Sequence, residues 1–328
     1  MRLKMYSAKI ETYQYLKEFP RIHVKITDTF FEKIKSLLRL KYGSLYEYHK
    51  TINIQYVTLK KEFRKNAHHP FHRLNRYIGD VEISEKGLFD NILGFYHWGS
   101  HREFVMIPRI INADEFFVEG YALYLAEGNN GSNGLKRPRG FVFTNSEISV
   151  MNYMIAWIQK YFPKLEYSIV IVKPRGTDVN IETIKKKIDS KKFVYAEESY
   201  NKIVKYKLCC YRAVLIDLIL SLDNKIKDFC SQDRKIACAY IRGMMIGEGT
   251  VYNNRSRYVR IEMRNRKEIE HIHKLFIMLG YDCKISCRTT REDMWSIYIG
   301  AGQLKKFYDE IGFGVHEKRQ KRLINAIS

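Results

Sequence analysis

The chain has 328 residues, 45% hydrophobic and 14% aromatic, enough for two or three cored domains and too apolar for a disordered polymer. Lys and Arg total 57 against 36 Asp and Glu, a net charge of +21. That excess makes an acidic small-molecule pocket an incomplete explanation and fits a polyanion, nucleic acid before an anionic membrane surface.

The start, Met1-Arg2-Leu3-Lys4-Met5-Tyr6, lacks the apolar core of a signal peptide. Counted by region, residues 1–112 carry a net +9, residues 113–233 a net +3 and residues 234–328 a net +9. These blocks are read as three domains. No run of five like charges occurs, which argues for folded basic surfaces over a disordered arm. The first block reads as helical. Phe30 to Leu38 spaces its apolar residues at three and four, Ser44 can cap a short helix through Tyr48, and a basic helix runs from about Gln55 to Lys65. That order is the helix-turn-helix arrangement, with Gln55, Thr58, Lys61 and Arg64 on one face; Lys61 and Arg64 are its candidate DNA contacts. His68, His69 and His72 lie close together without a nearby Cys or carboxylate, so they read as a solvated or DNA-facing loop rather than a zinc site.

Two segments then resemble each other: Gly120-Tyr121-Ala122-Leu123-Tyr124-Leu125-Ala126-Glu127-Gly128 and Tyr240-Ile241-Arg242-Gly243-Met244-Met245-Ile246-Gly247-Glu248-Gly249. Small residues precede each acid by one and by five, Ala126 and Ala122 in the first, Gly247 and Gly243 in the second. Positions four apart share a helix stripe, so two such helices can touch backbones. Gly128 and Gly249 suit a left-handed residue after the last turn. Packed together, the helices would bring Glu127 and Glu248 side by side, where two repelling carboxylates suit a hard divalent ion, Mg²⁺ or Mn²⁺, and metal-activated water for in-line displacement at phosphorus.

The stretch C-terminal to each acid reinforces the duplication. In the first copy Arg139 to Asn145 reads as a strand, Ile148 to Tyr161 as a helix and Tyr167 to Lys173 as a strand. A polar helical insert comes next (Ile181 to Lys192), then a strand from Val204 to Cys209 and an apolar helix from Val214 to Ile226. The longest greasy stretch, Ala213 to Leu220, is too short to span a bilayer and carries Asp217. Arg137, Arg139, Lys173 and Lys207 are the candidate DNA contacts of this copy. In the second, Tyr258 to Arg264 alternates, Lys267 to Leu279 is helical, two more strands turn Cys283, Ile285 and Cys287, then Trp295, Ile297 and Ile299 inward, and a helix starts near Gln303. Arg260, Arg264, Lys284 and Arg288 lie on the outer face, as in a one-sided antiparallel sheet that reads DNA. Cys209, Cys210, Cys230, Cys238, Cys283 and Cys287 lack zinc-site spacing and read as reduced core residues of an intracellular, cytoplasmic protein.

The doubled motif, each copy ending in an acid and a glycine, resembles the LAGLIDADG homing endonuclease family in its single-chain, two-motif form. The resemblance covers roughly residues 106–328 and extends to Phe143-Thr144-Asn145-Ser146 and His316-Glu317-Lys318-Arg319, which look like archaeal members. It implies an α+β fold of two αββαββα-type repeats about a pseudo-twofold, forming a DNA-binding saddle behind the helical domain, in a monomer with internal pseudo-symmetry. It implies metal-dependent cleavage of both strands of a long, asymmetric DNA site, with Glu127 and Glu248 as metal-binding acids and the carbonyls of Ala126 and Gly247 facing the metals. Lys318 matches the basic residue near the scissile phosphate; Lys207 is the guess for its first-repeat partner. The sequence departs from the family at Gly120 and Ala122 and in the insertion 174–203. The start at Met1 and the end Asn325-Ala326-Ile327-Ser328 lack an intein's marks, so a freestanding protein is expected. The alternative is a DNA-binding transcription regulator or an RNA-splicing maturase on the same fold, with intron RNA as a partner; two retained acids favour the enzyme.

Overall fold

A short alternating run at the start, Ile22-His23-Val24-Lys25-Ile26, builds the first departure from expectation, because it forms the centre of a sheet. The computed structural model describes residues 8–64, 67–98, 104–129, 139–177, 179–190, 192–199, 202–287 and 293–328. In chain order the first block runs β1 (Ala8–Glu11), α1 (Thr12–Leu16), β2 (Ile22–Ile26), α2 (Asp28–Tyr42), α3 (Leu45–Thr51), α4 (Tyr56–Glu62), β3 (His69–Pro70), α5 (Phe71–Asp80), α6 (Glu85–Phe89), β4 (Ile92–His97) and β5 (Ile110–Ala113). Strands β3, β2 and β4 form an antiparallel sheet and β1 pairs with β5, so this block is mixed rather than helical alone. The strands were hidden because each is six residues or fewer, and β2 and β4 are buried at most of their positions, which weakens any alternation. Helices α2, α3 and α4 do succeed one another. Ser44 caps α3 by accepting from the Glu47 amide at 3.1 Å. α4 ends at Glu62, short of the expected Lys65, and leaves Arg64 beyond it.

The next stretch runs α7 (Glu115–Glu127), β6 (Gly128–Asn129), β7 (Phe141–Asn145), α8 (Ile148–Tyr161), β8 (Ser168–Pro174), α9 (Ile181–Lys187), β9 (Phe193–Glu198), β10 (Lys205–Cys210), α10 (Ala213–Ser221) and α11 (Asp223–Gln232). The last comprises α12 (Arg234–Glu248), β11 (Gly249–Asn253), β12 (Arg257–Met263), α13 (Arg266–Met278), β13 (Ile285–Cys287), β14 (Trp295–Gly300), a 3₁₀ turn, α14 (Leu304–Glu310) and α15 (Glu317–Ile327). Their sheets are ordered β6-β7-β10-β8-β9 and β11-β12-β14-β13. Without β9 the two orders are the same. The fold is α+β, and each half runs helix, two strands, helix, two strands, helix.

Three details differ from the sequence reading. The insertion is half strand, since β9 pairs in parallel with β8 from Ile169↔Phe193 to Pro174↔Glu198. The apolar helix expected from Val214 to Ile226 breaks at Leu222, where α11 begins. Cys287, expected inward, is exposed on the short edge strand β13; the other five cysteines are buried, and none of the six is in a disulfide. The first block is anchored to the second through a buried carboxylate. Asp217 of α10 meets the Arg139 guanidinium at 2.5 Å and His97 Nε2 of β4 at 3.6 Å. Burial raises the Asp217 pKa, and Arg139 and His97 oppose that rise.

Candidate functional site

The two motif helices carry the site. Asp114 caps α7, accepting from the Phe117 amide at 2.8 Å, and Asp233 caps α12, accepting from Lys235 and Ile236 at 2.7 and 3.1 Å. The helices then meet backbone to backbone. A Cβ added at Gly243 would lie 2.2 Å from the Glu119 carbonyl oxygen and 2.9 Å from Ala122 Cβ, and one at Gly247 would lie 2.4 Å from Ala126 Cβ. The contact is sealed at one side by Arg242, whose guanidinium donates to Glu119 at 2.9 Å across the repeats and to the Ile311 carbonyl at 2.5 Å. Burial raises the Glu119 pKa against that guanidinium. Gly243→Ala therefore drives a methyl into backbone, and it should destabilise the fold by about 1–3 kcal/mol or more, read by denaturant unfolding. Wild-type stability in that variant would sink the packing.

Gly120, out of place in the motif, has its own reason. The Trp157 indole of α8 lies where its Cβ would be, 2.1 Å from Cδ1, and Trp157 donates to the Phe117 carbonyl at 3.0 Å. Gly128 and Gly249 are not left-handed. Both are extended, with φ of −80° and −77°, and open the strands β6 and β11. They are glycines by close approach: a Cβ would lie 2.2 Å from the Tyr124 carbonyl oxygen and 2.5 Å from that of Met245.

Glu127 and Glu248 end the paired helices. Glu127 is half-buried and Glu248 exposed. Burial and the neighbouring Glu248 carboxylate push Glu127 up to about 7, against the opposing pull of Arg319 and Lys205. Although the residue as a whole is exposed, desolvation of its carboxyl where the helix ends crowd together raises Glu248, with Arg319 opposing and Glu262 adding to the rise. An acid held near 7 keeps its proton in the fold where the unfolded chain has lost it. Stability should thus be fully present below about pH 4.5 and fall as pH rises through 7, by up to about 3 kcal/mol. Unfolding titrations in a chelator from pH 5 to 8 should show this slope in the wild type and lose it in Glu127→Gln. Equal slopes in the two proteins would refute the raised acid.

Lys318 and Arg319 are placed unequally about the acids. Lys318 is 74% exposed and holds Glu147 at 2.6 Å. Arg319 donates one nitrogen to the last carbonyls of α12, those of Met245 at 3.1 Å, Ile246, and Gly247 at 3.0 Å. Its positive charge bears on both acids, and burial lowers its own pKa. His316, at the start of the same helix, is buried and pushed down to about 4 by that burial and by Arg319. The difference was legible. Residues 319, 323 and 326 fall on one face of α15, and Leu323 and Ala326 are its buried residues. On the first repeat, Lys205 rather than Lys207 is the lysine whose charge bears on Glu127.

The remaining basic candidates are placed unequally. Lys207 holds Glu198 and Lys173 holds Glu197, both at 2.9 Å, so acids from the unforeseen strand β9 engage them. Arg139 is committed to Asp217. Arg260 sits on the outer face of β12 but is tied to Glu262 at 2.9 Å and to the Tyr252 hydroxyl at 2.6 Å. Arg264, just past β12, is exposed and shares a cavity of about 510 Å³ with Ala126 and Glu248. Lys284, Lys61 and Arg64 are exposed. Arg137 and Arg288 lie outside the described residues. Among the described residues no three His, Cys, Asp or Glu side chains converge as a metal cluster, and no helix is long and apolar enough to cross a membrane.

No curated protein matches the chain. Among solved structures it is similar to the complex of I-DmoI with DNA and Mn, at 14% identity and a TM-score of 0.41 over 62% of this chain and 98% of that one. It is also similar to the N-terminal LAGLIDADG domain of DUF199/WhiA, at 12% identity and a TM-score of 0.38 over 63% and 87%. Full-length DUF199/WhiA from Thermatoga maritima aligns at 11% identity and a TM-score of 0.39 over 66% and 62%. Residues 235–312, from α12 through α14, match the family described as LAGLIDADG-like domain. That domain is the second repeat, and the first repeat packs its own motif helix, α7, against the domain's α12 at backbone contact.

Proposed function

We propose that the chain is a site-specific endonuclease for double-stranded DNA that depends on a divalent cation, Mg²⁺ or Mn²⁺. One observation carries this reading: Glu127 and Glu248 end two helices packed at backbone contact, and Glu248 helps to hold Glu127 up to about 7. Such a like-charge pair is unfavourable unless a cation sits with it. The donor set fits a hard ion in its two carboxylates. The Gly247 carbonyl fits less well, because Arg319 already donates to it, so Glu127, Glu248 and the Ala126 carbonyl would hold the ion. When bound, the ion would stabilise charge on a phosphodiester under attack by water. The chain's own residues fix the acids through the helix contact, and Arg264 and Lys284 present charge to a DNA backbone.

A second reading, a DNA-binding regulator or a maturase that also contacts intron RNA, draws on Arg319. Its guanidinium gives the acids a resident positive charge without metal, which suffices for a binder. The deciding experiment exposes a library of long duplex sites to the protein with Mg²⁺ or Mn²⁺ and sequences the ends produced. Double-strand breaks at one long site support the enzyme. Selective retention of a site without breaks overturns it in favour of the second reading.

A further inference from the structure

A groove of about 500 Å³ opens in the first block, with none of its walls on the motif helices. Its most exposed ring is Trp98, 64% accessible, an unusual setting for an indole on a folded surface. The ring is not loose. It stacks on buried His23 with centroids 5.3 Å apart and planes 26° off parallel, and its backbone amide donates to the Arg21 carbonyl at 2.8 Å. His23 leans in turn on Tyr96 at 5.0 Å, and Tyr96 meets His68 at 4.6 Å, so the floor is continuous aromatic surface.

The rim is cationic. Arg21 and Lys61 are exposed, and among the described residues the one carboxylate lining the groove, Glu62, is consumed internally by Arg73 and by the Tyr77 hydroxyl at 2.6 Å. Burial holds His23, His68 and His72 below their ordinary pKa, so near neutral pH they offer ring faces rather than charge. A flat aromatic floor beside unpaired cations recognises a flat π-system that carries an anion. In a duplex the base faces are covered by their neighbours, so only an unpaired base can stack here. We propose that this groove binds an unpaired nucleotide of a nucleic-acid strand, its base on the Trp98 indole and its phosphate at Arg21 and Lys61. The site goes beyond the endonuclease reading and does not depend on it.

The test uses the full chain without metal and two labelled probes, a ten-residue oligothymidylate and a blunt duplex of mixed sequence. The single strand should quench tryptophan emission, and the quenching should vanish in Trp98→Ala, which keeps fully buried Trp157 and partly buried Trp295. Trp98→Ala should weaken oligothymidylate binding roughly five- to a hundred-fold and leave duplex affinity unchanged. Lys61→Ala should shallow the single-strand salt dependence by about 0.7 in the log–log slope. Wild-type oligothymidylate affinity in Trp98→Ala would overturn the proposal, and so would an equal loss for both probes. If no duplex site is ever cut while the Trp98-dependent binding persists, the endonuclease reading falls and the groove stands.

Discussion

Glu127→Gln and Glu248→Gln should each cut strand cleavage by roughly 10²–10³-fold or more, while DNA affinity measured without metal holds or rises. The argument is electrostatic. Each glutamine keeps the shape of the helix end and removes one formal charge, so the affinity of the site for a divalent ion falls along with its capacity to balance charge on a phosphodiester. Removing a carboxylate near DNA phosphates also removes a repulsion. The burial of Glu127 and its raised pKa make the two variants unequal in one respect: Glu127→Gln should stabilise the metal-free protein at pH 8, because a carboxylate forced to ionise in a confined place is gone. Cleavage near the wild-type rate by either variant would sink the paired-acid site, and lost DNA affinity in both would assign the acids to structure.

Arg319→Met should be the costliest single change at the site, about 2–4 kcal/mol of stability, and its cost should depend on pH. Two contributions are separable. The three carbonyls at the end of α12 lose their shared donor whatever the pH, which costs about 1–3 kcal/mol for partly buried acceptors. The attraction between the guanidinium and Glu127 exists only when that acid is ionised, so it contributes at pH 8 and little at pH 5. Chemical denaturation of wild type and variant at both values should give a larger difference at pH 8. A pH-independent difference would reduce Arg319 to a helix cap. Lys318→Met is the control. Its side chain lies largely in water against Glu147, and a surface pair of this kind is worth about 0–1 kcal/mol.

The helices that build the site were legible because their signals are local. Ala122, Ala126, Gly243 and Gly247 announce a close helix contact by spacing alone, and α8 runs from Ile148 to Tyr161 as its periodicity predicts. The second repeat reads more cleanly than the first because β12 is buried on one face only, so Val259, Ile261 and Met263 alternate with charged residues. What failed was what depends on distant partners. Nothing near Gly120 in sequence reveals Trp157, and nothing near Lys173 or Lys207 reveals Glu197 and Glu198, which reach them only once β9 joins the sheet. The N-terminal strands were lost because β2 is buried at four of its five residues. Arg319 is marked by the phase of α15, which sets it on the face of Leu323 and Ala326 while Lys318 lies largely in water.

The parallel strand β9 makes one half of the molecule wider than the other by a strand spacing of about 4.8 Å. It also brings the carboxylates of Glu197 and Glu198 to Lys173 and Lys207. Two halves joined on a near-symmetric axis would grip a strand and its reverse complement alike. Unequal width and unequal charge remove that ambiguity: a polymer laid across both sheets meets a different surface at each end, and turning it round exchanges one mismatch for another. On the proposed DNA-binding reading, such a molecule would have a built-in heading, and the sites it prefers should read differently from left to right than from right to left.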